Sequence, residues 1–252
     1  MSPESHWTPG LVSIIVPVLG LTRPRLLRHP LSPRRVILDL LDDVEANVSQ
    51  ESEVIVVCNS RDQEVMRRIE AEPRITRYCL NSENVGVSRA WNIGAMLAEG
   101  EFLCFVNDDV QVGPGSIETL SEVLAADPTA GQAGPRGAMW PGVEPGEFVG
   151  LSEIEEADAI SGFMFMTRRS VFDEVGGFDV AFTPAGGEEI DYSFAVKRAG
   201  YRCLVVPGLD IVHHGQAGVS SRDTTISFLG REAATADLAK RNMGILRLKW
   251  SE

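Results

Sequence analysis

Residues 101–110 read EFLCFVNDDV, an apolar run that stops in two carboxylates. Phe102 to Val106 are apolar without alternation, the pattern of a strand covered on both faces. Asn107, Asp108 and Asp109 follow, and Gly113-Pro114-Gly115 closes the loop soon after. Carboxylates at the C-terminal end of such a strand stand where open α/β sheets bind ligands. Their hard oxygens suit Mg²⁺ or Mn²⁺ carrying a substrate phosphate. A plain turn also favours Asn and Asp, so the flanking chain has to decide.

Upstream, the chain alternates strand and helix. After a polar leader over residues 1–9, Leu11 to Val18 forms a first buried strand with Pro17 at its exit, and residues 19–33, rich in Pro and Arg, form a loop. Apolar positions at 36, 37, 40, 41, 44 and 48 repeat with a helix period. Glu53 to Val57 is a second strand, ending at Cys58-Asn59-Ser60. Ser60 and Gln63 have capping-box spacing, so a helix is expected from there to about residue 71. Ile75 to Leu80 is a third strand. A helix over 87–98 follows, with Gly100 read as its C′ residue. Three short β-α units leading into the strand at 102–106 predict a mostly parallel sheet flanked by helices.

Downstream the pattern changes. A helix is expected over 116–126, then a Gly- and Pro-rich stretch over 130–150 and an apolar segment over 159–167 around Gly162. Short helices are expected over 170–175 and from Glu188 to Arg198, the latter preceded by Gly186-Gly187. Strands are expected over 201–206 and 209–212, leading into His213-His214, and the tail from 224 to 250 reads as mostly helix. With no linker between the halves, one domain is expected over 1–252, made of a first half over 11–110, a second half over 111–222 and a helical tail over 223–252.

The formal net charge of −13 argues against nucleic acid as a partner. Arg23, Arg25, Arg28, Arg34 and Arg35 nevertheless cluster, as a solvated loop or a patch facing a phosphate or lipid head group. No apolar run reaches the roughly 18 residues of a membrane span, and no signal peptide is read at the start. Cys58, Cys79, Cys104 and Cys203 lack CxxC spacing and read as buried free thiols.

Three polar clusters end apolar segments: Asn107-Asp108-Asp109, Glu188-Glu189-Ile190-Asp191, and His213-His214. A divalent metal takes carboxylates and can take an imidazole, and a carboxylate at a helix start can serve as a general base. Acids in a first helical turn also stabilise the helix by themselves, and a lone His is often structural. Neither plain reading accounts for all three clusters together.

With these motifs in order, the chain resembles family 2 glycosyltransferases, which have the GT-A fold. The similarity is carried by SIIVPV at 13–18, VIVVCNS at 54–60 and NVGVSRAWNIGAMLAEGEFLCFVNDD at 84–109. SGFMFMTRRSVFDEVGGFD at 161–179, GEEIDYSFAVKRAGY at 187–201 and HHG at 213–215 extend it. The resemblance implies a Rossmann-like, mostly parallel central sheet with a smaller acceptor-side subregion. It places Asn107-Asp108-Asp109 on the family's DXD motif, with Asp109 as metal ligand and Asn107 and His213 beside it. It places Pro17, Val18, Cys58, Asn59, Asn84, Gly86, Arg89, Asn107 and Asp108 around the nucleotide sugar. Cys58 stands where relatives use Asp, which leaves the nucleotide open. Glu189 matches the catalytic base of the family's E-D-x-D motif, with Asp191 and Glu188 as further candidates. Gly162 to Arg168 and Gly177 to Asp179 resemble the acceptor floor, and the loops near 135–160 and 215–225 would set acceptor choice.

The implied chemistry is metal-dependent, inverting transfer from a UDP-, dTDP- or GDP-sugar to an acceptor hydroxyl, assisted by Mn²⁺ or Mg²⁺. The acceptor would be a glycan, a lipid-linked glycan or a small molecule. The setting would be surface polysaccharide or glycoconjugate assembly in the cytoplasm, with room for peripheral contact at the inner membrane face. Two rival readings are an inactive relative that binds a nucleotide sugar or a protein partner, and a sugar-nucleotide pyrophosphorylase. The second wants a Gly-rich phosphate loop after the first strand, and residues 18–23 are a poor version of one.

Overall fold

The computed structural model describes residues 7–22, 35–150, 152–215 and 224–251. The first half runs β1 (Thr8–Val18), α1 (Ile37–Asn47), β2 (Ser52–Cys58), α2 (Gln63–Glu70), β3 (Arg77–Leu80), α3 (Val87–Leu97) and β4 (Gly100–Val106). β5 (Val110–Val112), α4 (Ser116–Ala126), β6 (Ala130–Gly134), β7 (Gly137–Ala138), β8 (Phe148–Val149), β9 (Glu155–Ala157) and β10 (Ala159–Ile160) follow. Then come β11 (Met164–Arg168), α5 (Arg169–Val175), α6 (Glu188–Arg198), β12 (Arg202–Val205) and β13 (Ile211–His213). The hairpin β14 (Thr225–Phe228) and β15 (Arg231–Ala234) leads into α7 (Thr235–Trp250).

Eight strands form the central sheet in the order β3-β2-β1-β4-β11-β6-β12-β9. β1 to β4 run parallel, whereas β11 is antiparallel to both β4 and β6. This is a GT-A fold, a large mixed sheet flanked by helices, as the resemblance implied. The C-terminal ends of β1, β2 and β4 therefore emerge side by side, next to the point where strand direction reverses, and ligand sites of open α/β sheets form there.

The two faces of the sheet follow the side-chain alternation of its strands. Ile14, Val16, Val54, Val56, Phe102 and Cys104 pack beneath α1, α2 and α4. Ile15, Ile55, Leu103 and Phe105 pack on the other face beneath α3, α5 and α6. That second face holds a cluster of six rings. Phe178 lies 4.8 Å from Trp91, 4.9 Å from Phe105 and 4.7 Å from Tyr192, with Phe165 and Phe172 alongside.

Several local expectations change. Gly100 opens β4 rather than capping α3. A Cβ there would lie 2.6 Å from both the Leu11 carbonyl and Ser13 Oγ, so close strand packing explains the glycine. Asp62, not Ser60, caps α2, its carboxylate accepting from the Glu64 N–H at 2.8 Å. The tail is not all helix, because β14 and β15 pair before α7 begins. All four cysteines are free; Cys79 is half-buried and the other three are buried, with burial pushing Cys104 up to about 12. Arg23, Arg25, Arg28 and Arg34 lie outside the described residues. Arg35 turns back onto Asp43 and the Asp39 carbonyl. No helix among the described residues is long and apolar enough to cross a membrane.

Candidate active site

A cleft of about 590 Å³ opens where β1, β2 and β4 end. Pro17, Val18, Asn59, Asn84, Asn107, Asp108, Glu188, Glu189 and His213 all line it. Residues far apart in the sequence thus meet because parallel strands deliver their exits to one edge.

The wall after β1 and β2 is made of backbone turns held by amides. The Asn59 N–H donates to the Val18 carbonyl at 2.7 Å, and Asn81 Nδ2 donates to Asn59 Oδ1 at 3.1 Å. Asn84 Oδ1 accepts from the Gly86 N–H at 2.9 Å, while its amide donates to the Ser227 carbonyl of β14 at 3.2 Å. The hairpin thereby docks on this wall, and Ile226 reaches the cleft. Gly86 has a φ of +85°, and a Cβ there would lie 2.8 Å from Pro184 Cα and its carbonyl oxygen. Cys58 and Arg89 do not line the cleft. Cys58 is sealed in the sheet, where burial raises its thiol pKa. Arg89 is turned onto the Thr183 hydroxyl.

The acidic turn after β4 owes its partner to strand pairing. β5 pairs antiparallel with β13, placing His213 opposite Val110. Asp109 is fully buried, its Oδ1 3.5 Å from His213 Nε2, and the His213 ring stacks on Phe163 at 4.7 Å. His214 goes elsewhere: its Nε2 lies 3.4 Å from Gln111 Oε1, and burial together with Arg35 lowers its pKa. Among the described residues no group of three or more His, Cys, Asp or Glu side chains forms a metal cage. A Mg²⁺ or Mn²⁺ that works on phosphates needs no such cage, since it is held by one or two carboxylates plus the phosphates. An adjacent carboxylate and imidazole, with the Asn107 and Asp108 side chains facing the cleft, fit that role.

Opposite stands the start of α6. Gly186 and Gly187 both have positive φ, +98° and +94°, which lets the chain turn sharply into the helix. Glu188 and Glu189 then face the cleft. Burial raises both carboxyls, and the neighbouring Glu189 charge pushes Glu188 further up. Glu188 Oε2 is buried without a hydrogen-bond partner among the described residues. Glu189 Oε2 accepts from the Gly187 N–H at 3.2 Å. Gly162 makes room for this side chain, because a Cβ there would sit 3.0 Å from Glu189 Cγ.

Asp191, on the same helix, is not at the cleft. It is buried, and Trp250 Nε1 donates to its Oδ1 at 2.8 Å while Lys249 Nζ donates to its Oδ2 at 3.0 Å. Of the expected acceptor floor, Gly162 lines the cleft, but Met164 to Arg168 are central strand β11 and Phe178 belongs to the ring cluster. Phe163 of that floor also lines the cleft, whereas the sequence reading missed Leu19, Val87, Trp91, Pro184, Ala185 and Ile226 as cleft residues. Val87 and Trp91 stand one helical turn apart, a spacing that could have revealed them. Ile226 carries no local signal.

The family model described as Glycosyl transferase family 2 matches residues 34–176, more than half of the chain. An N-acetylglucosaminyl-diphospho-decaprenol L-rhamnosyltransferase of Mycobacterium tuberculosis is 28% identical over 185 residues, covering 60% of each chain. A glucosyl-dolichyl phosphate glucuronosyltransferase of Haloferax volcanii is 28% identical, covering 56% of this chain and 50% of the relative. The uncharacterized protein y4gI of Sinorhizobium fredii is 27% identical, covering 68% of this chain and 22% of that protein. The chain thus spans less than two thirds of the length of the curated relatives it matches. Among solved structures, GalNAc-T7 with UDP, GalNAc and Mn²⁺ superposes with a TM-score of 0.59 at 17% identity, over 80% of this chain and 43% of that one. The mannosyltransferase PcManGT of Pyrobaculum calidifontis, with GDP-Man and Mn²⁺, gives 0.56 at 20% identity, over 79% and 55%.

Proposed function

The chain belongs to glycosyl transferase family 2, and on that premise we propose that it moves a sugar from a nucleotide-diphosphate sugar to an acceptor hydroxyl, with inversion and with a divalent metal. The observation that carries this reading is the cleft itself. His213 lines one wall with fully buried Asp109 3.5 Å from its Nε2, and the other wall holds Glu189 with a raised pKa.

In this mechanism the acceptor oxygen attacks the anomeric carbon and gives its proton to Glu189. The new C–O bond forms as the bond from that carbon to the diphosphate oxygen breaks, and the nucleotide diphosphate leaves with the electron pair. A base whose pKa lies above the ordinary carboxylate range holds the proton better as it is transferred. A single base and direct displacement give inversion. Asp109 and His213 would hold Mg²⁺ or Mn²⁺, which as a Lewis acid offsets the charge of the departing diphosphate. Asn59 and the backbone after β1 and β2 hold the nucleotide end, and Gly162 keeps Glu189 facing the sugar. Solved neighbours bound to UDP or GDP with Mn²⁺ support a nucleotide-sugar donor and a metal. The relatives' names speak of acceptors on diphospho-decaprenol and on dolichyl phosphate, and we extend from them a lipid-linked acceptor in surface glycoconjugate assembly, met at the inner membrane face.

The test is a thermal-shift screen of UDP-, GDP- and dTDP-sugars with and without Mn²⁺, followed by an assay for released nucleotide diphosphate. A ligand of the folded state raises its stability with occupancy. A metal-dependent shift with one donor class and release of its nucleotide diphosphate is expected. A shift without release would favour a binding-only relative. No shift with any donor would remove the transferase reading.

A further inference from the structure

The start of α6 has no side-chain cap. Gly186 and Gly187 bring no side chains, and Gly187 at the N-cap offers no side-chain bond to the helix. Serine, threonine, aspartate or asparagine at that position would have done so. Yet the two glutamates facing the cleft sit on the very next residues, and a general base must be held to within a fraction of an ångström.

Ser193 Oγ donates to the Glu189 carbonyl at 2.8 Å from within α6, and further constraints come from one remote helix, α7, on both sides of this glycine joint. Before the joint, Asn242 Nδ2 is directed at three carbonyls, those of Phe182 at 3.1 Å, Ala185 at 3.0 Å and Gly186 at 2.7 Å. Arg241 reaches the Thr183 carbonyl alongside. After the joint, Trp250 and Lys249 bind the Asp191 carboxylate, and Lys249 also reaches Asp179 Oδ2 at 2.8 Å. The Trp250 ring packs on Phe194 of α6 at 5.6 Å, and the Arg198 guanidinium lies 4.4 Å above it. Buried Leu246 and Phe182 fill the space between the two attachment points.

We propose that α7 is a brace for the proposed active site, and that Asn242, Lys249 and Trp250 are positioning residues which, through Gly186 and Asp191, hold Glu189 in register with the bound donor. On this view Asp191 is the anchor that receives the brace. The proposal rests on the transferase reading for its catalytic consequence, but the mechanical part stands apart from it.

The experiment compares wild type with Asn242→Leu and with the double variant Trp250→Phe/Lys249→Met. Trp250→Phe keeps a ring on Phe194 while removing the indole N–H. Hydrogen exchange of the amides of residues 191–194, followed by mass spectrometry of the intact protein's fragments, reports the helix start directly. Exchange there is expected to rise by at least about tenfold while the amides of β1 and β4 keep their protection. In the donor assay kcat is expected to fall by about tenfold to a hundredfold, with the donor KM within about twofold, since the bonds of Asn242, Lys249 and Trp250 go to residues 179–191 and not to Asn59 or Asn84. Lys249→Arg, which keeps the charge and the donors, should retain most of the turnover.

Unchanged exchange at residues 191–194 in both variants overturns the brace. So does faster exchange with an unchanged kcat, or a loss of protection spread evenly over the whole sheet. A wild type that releases no nucleotide diphosphate from any donor would instead remove the transferase reading, and the exchange measurement would still judge the brace.

Discussion

The two acidic runs of the cleft are held in opposite ways. Asn107-Asp108-Asp109 follows a central strand and is gripped by backbone: the Asn107 N–H donates to the Phe163 carbonyl at 2.8 Å, and β13 pairs alongside. Glu188-Glu189 follows a double-glycine turn, and side chains from a helix nearly sixty residues onward bond the chain on both sides of it. Strand pairing fixes geometry with almost any side chains, whereas the second arrangement hangs on a few particular ones. The proposed metal side should therefore tolerate substitution around it better than the proposed base side does.

The sharpest way to break this contrast is to remove each function in turn. Glu189→Gln is expected to lower turnover by about 10²- to 10⁴-fold while leaving the metal-dependent donor shift in place. Turnover that survives Glu189→Gln but not Asp191→Asn would mean the base has been assigned to the wrong acid. Asp109→Ala should do the reverse, abolishing the metal-dependent donor shift in a thermal melt and reducing kcat/KM by about a hundredfold.

A smaller effect tests the room left for the base. Gly162→Ala puts a methyl group 3.0 Å from Glu189 Cγ, so the glutamate must move by a few tenths of an ångström. Steady-state kinetics should show kcat lower by about tenfold with the donor KM unchanged. Equal losses in kcat and donor binding would show that Gly162 serves the nucleotide side instead.

The smallest effect is on stability. The Glu188 carboxyl is raised by burial and by Glu189, so it is neutral in the folded chain at a pH where the unfolded chain has ionised it. Its contribution is intact below the unfolded carboxylate value and is lost as pH climbs through the folded one. Glu188→Gln removes that loss. Its melting temperature should fall less than the wild type's as pH rises above the ordinary carboxylate range, by roughly 2–4 °C for each kcal/mol recovered. A parallel fall in the two proteins would remove Glu188 as the source.

The sequence displays one side of this contrast better than the other. The strands of the first half are continuous apolar runs ending in polar residues, so β1, β2 and β4 and the acids beyond them could be read directly. The Asp109–His213 pairing could be expected only by resemblance, since β5 and β13 are three residues each and too short to show a period. The partners of Asp191 were not visible at all. A Trp and a Lys near the end of a helix look like surface residues until the tertiary fold brings an acid to them. Arg89 misled for a related reason: a basic residue in a nucleotide-binding block invites a phosphate, but here a threonine hydroxyl takes it.

The ring cluster beneath the cleft gives the protein an optical signature. Trp91, Phe105, Phe165, Phe172, Phe178 and Tyr192 are packed at fixed tilts to one another, a chiral array of chromophores. Such an array produces near-ultraviolet circular dichroism that disappears when side-chain packing loosens, even where helices and strands persist. Since Trp91 also lines the cleft, filling the cleft and loosening the core act on the same absorption band.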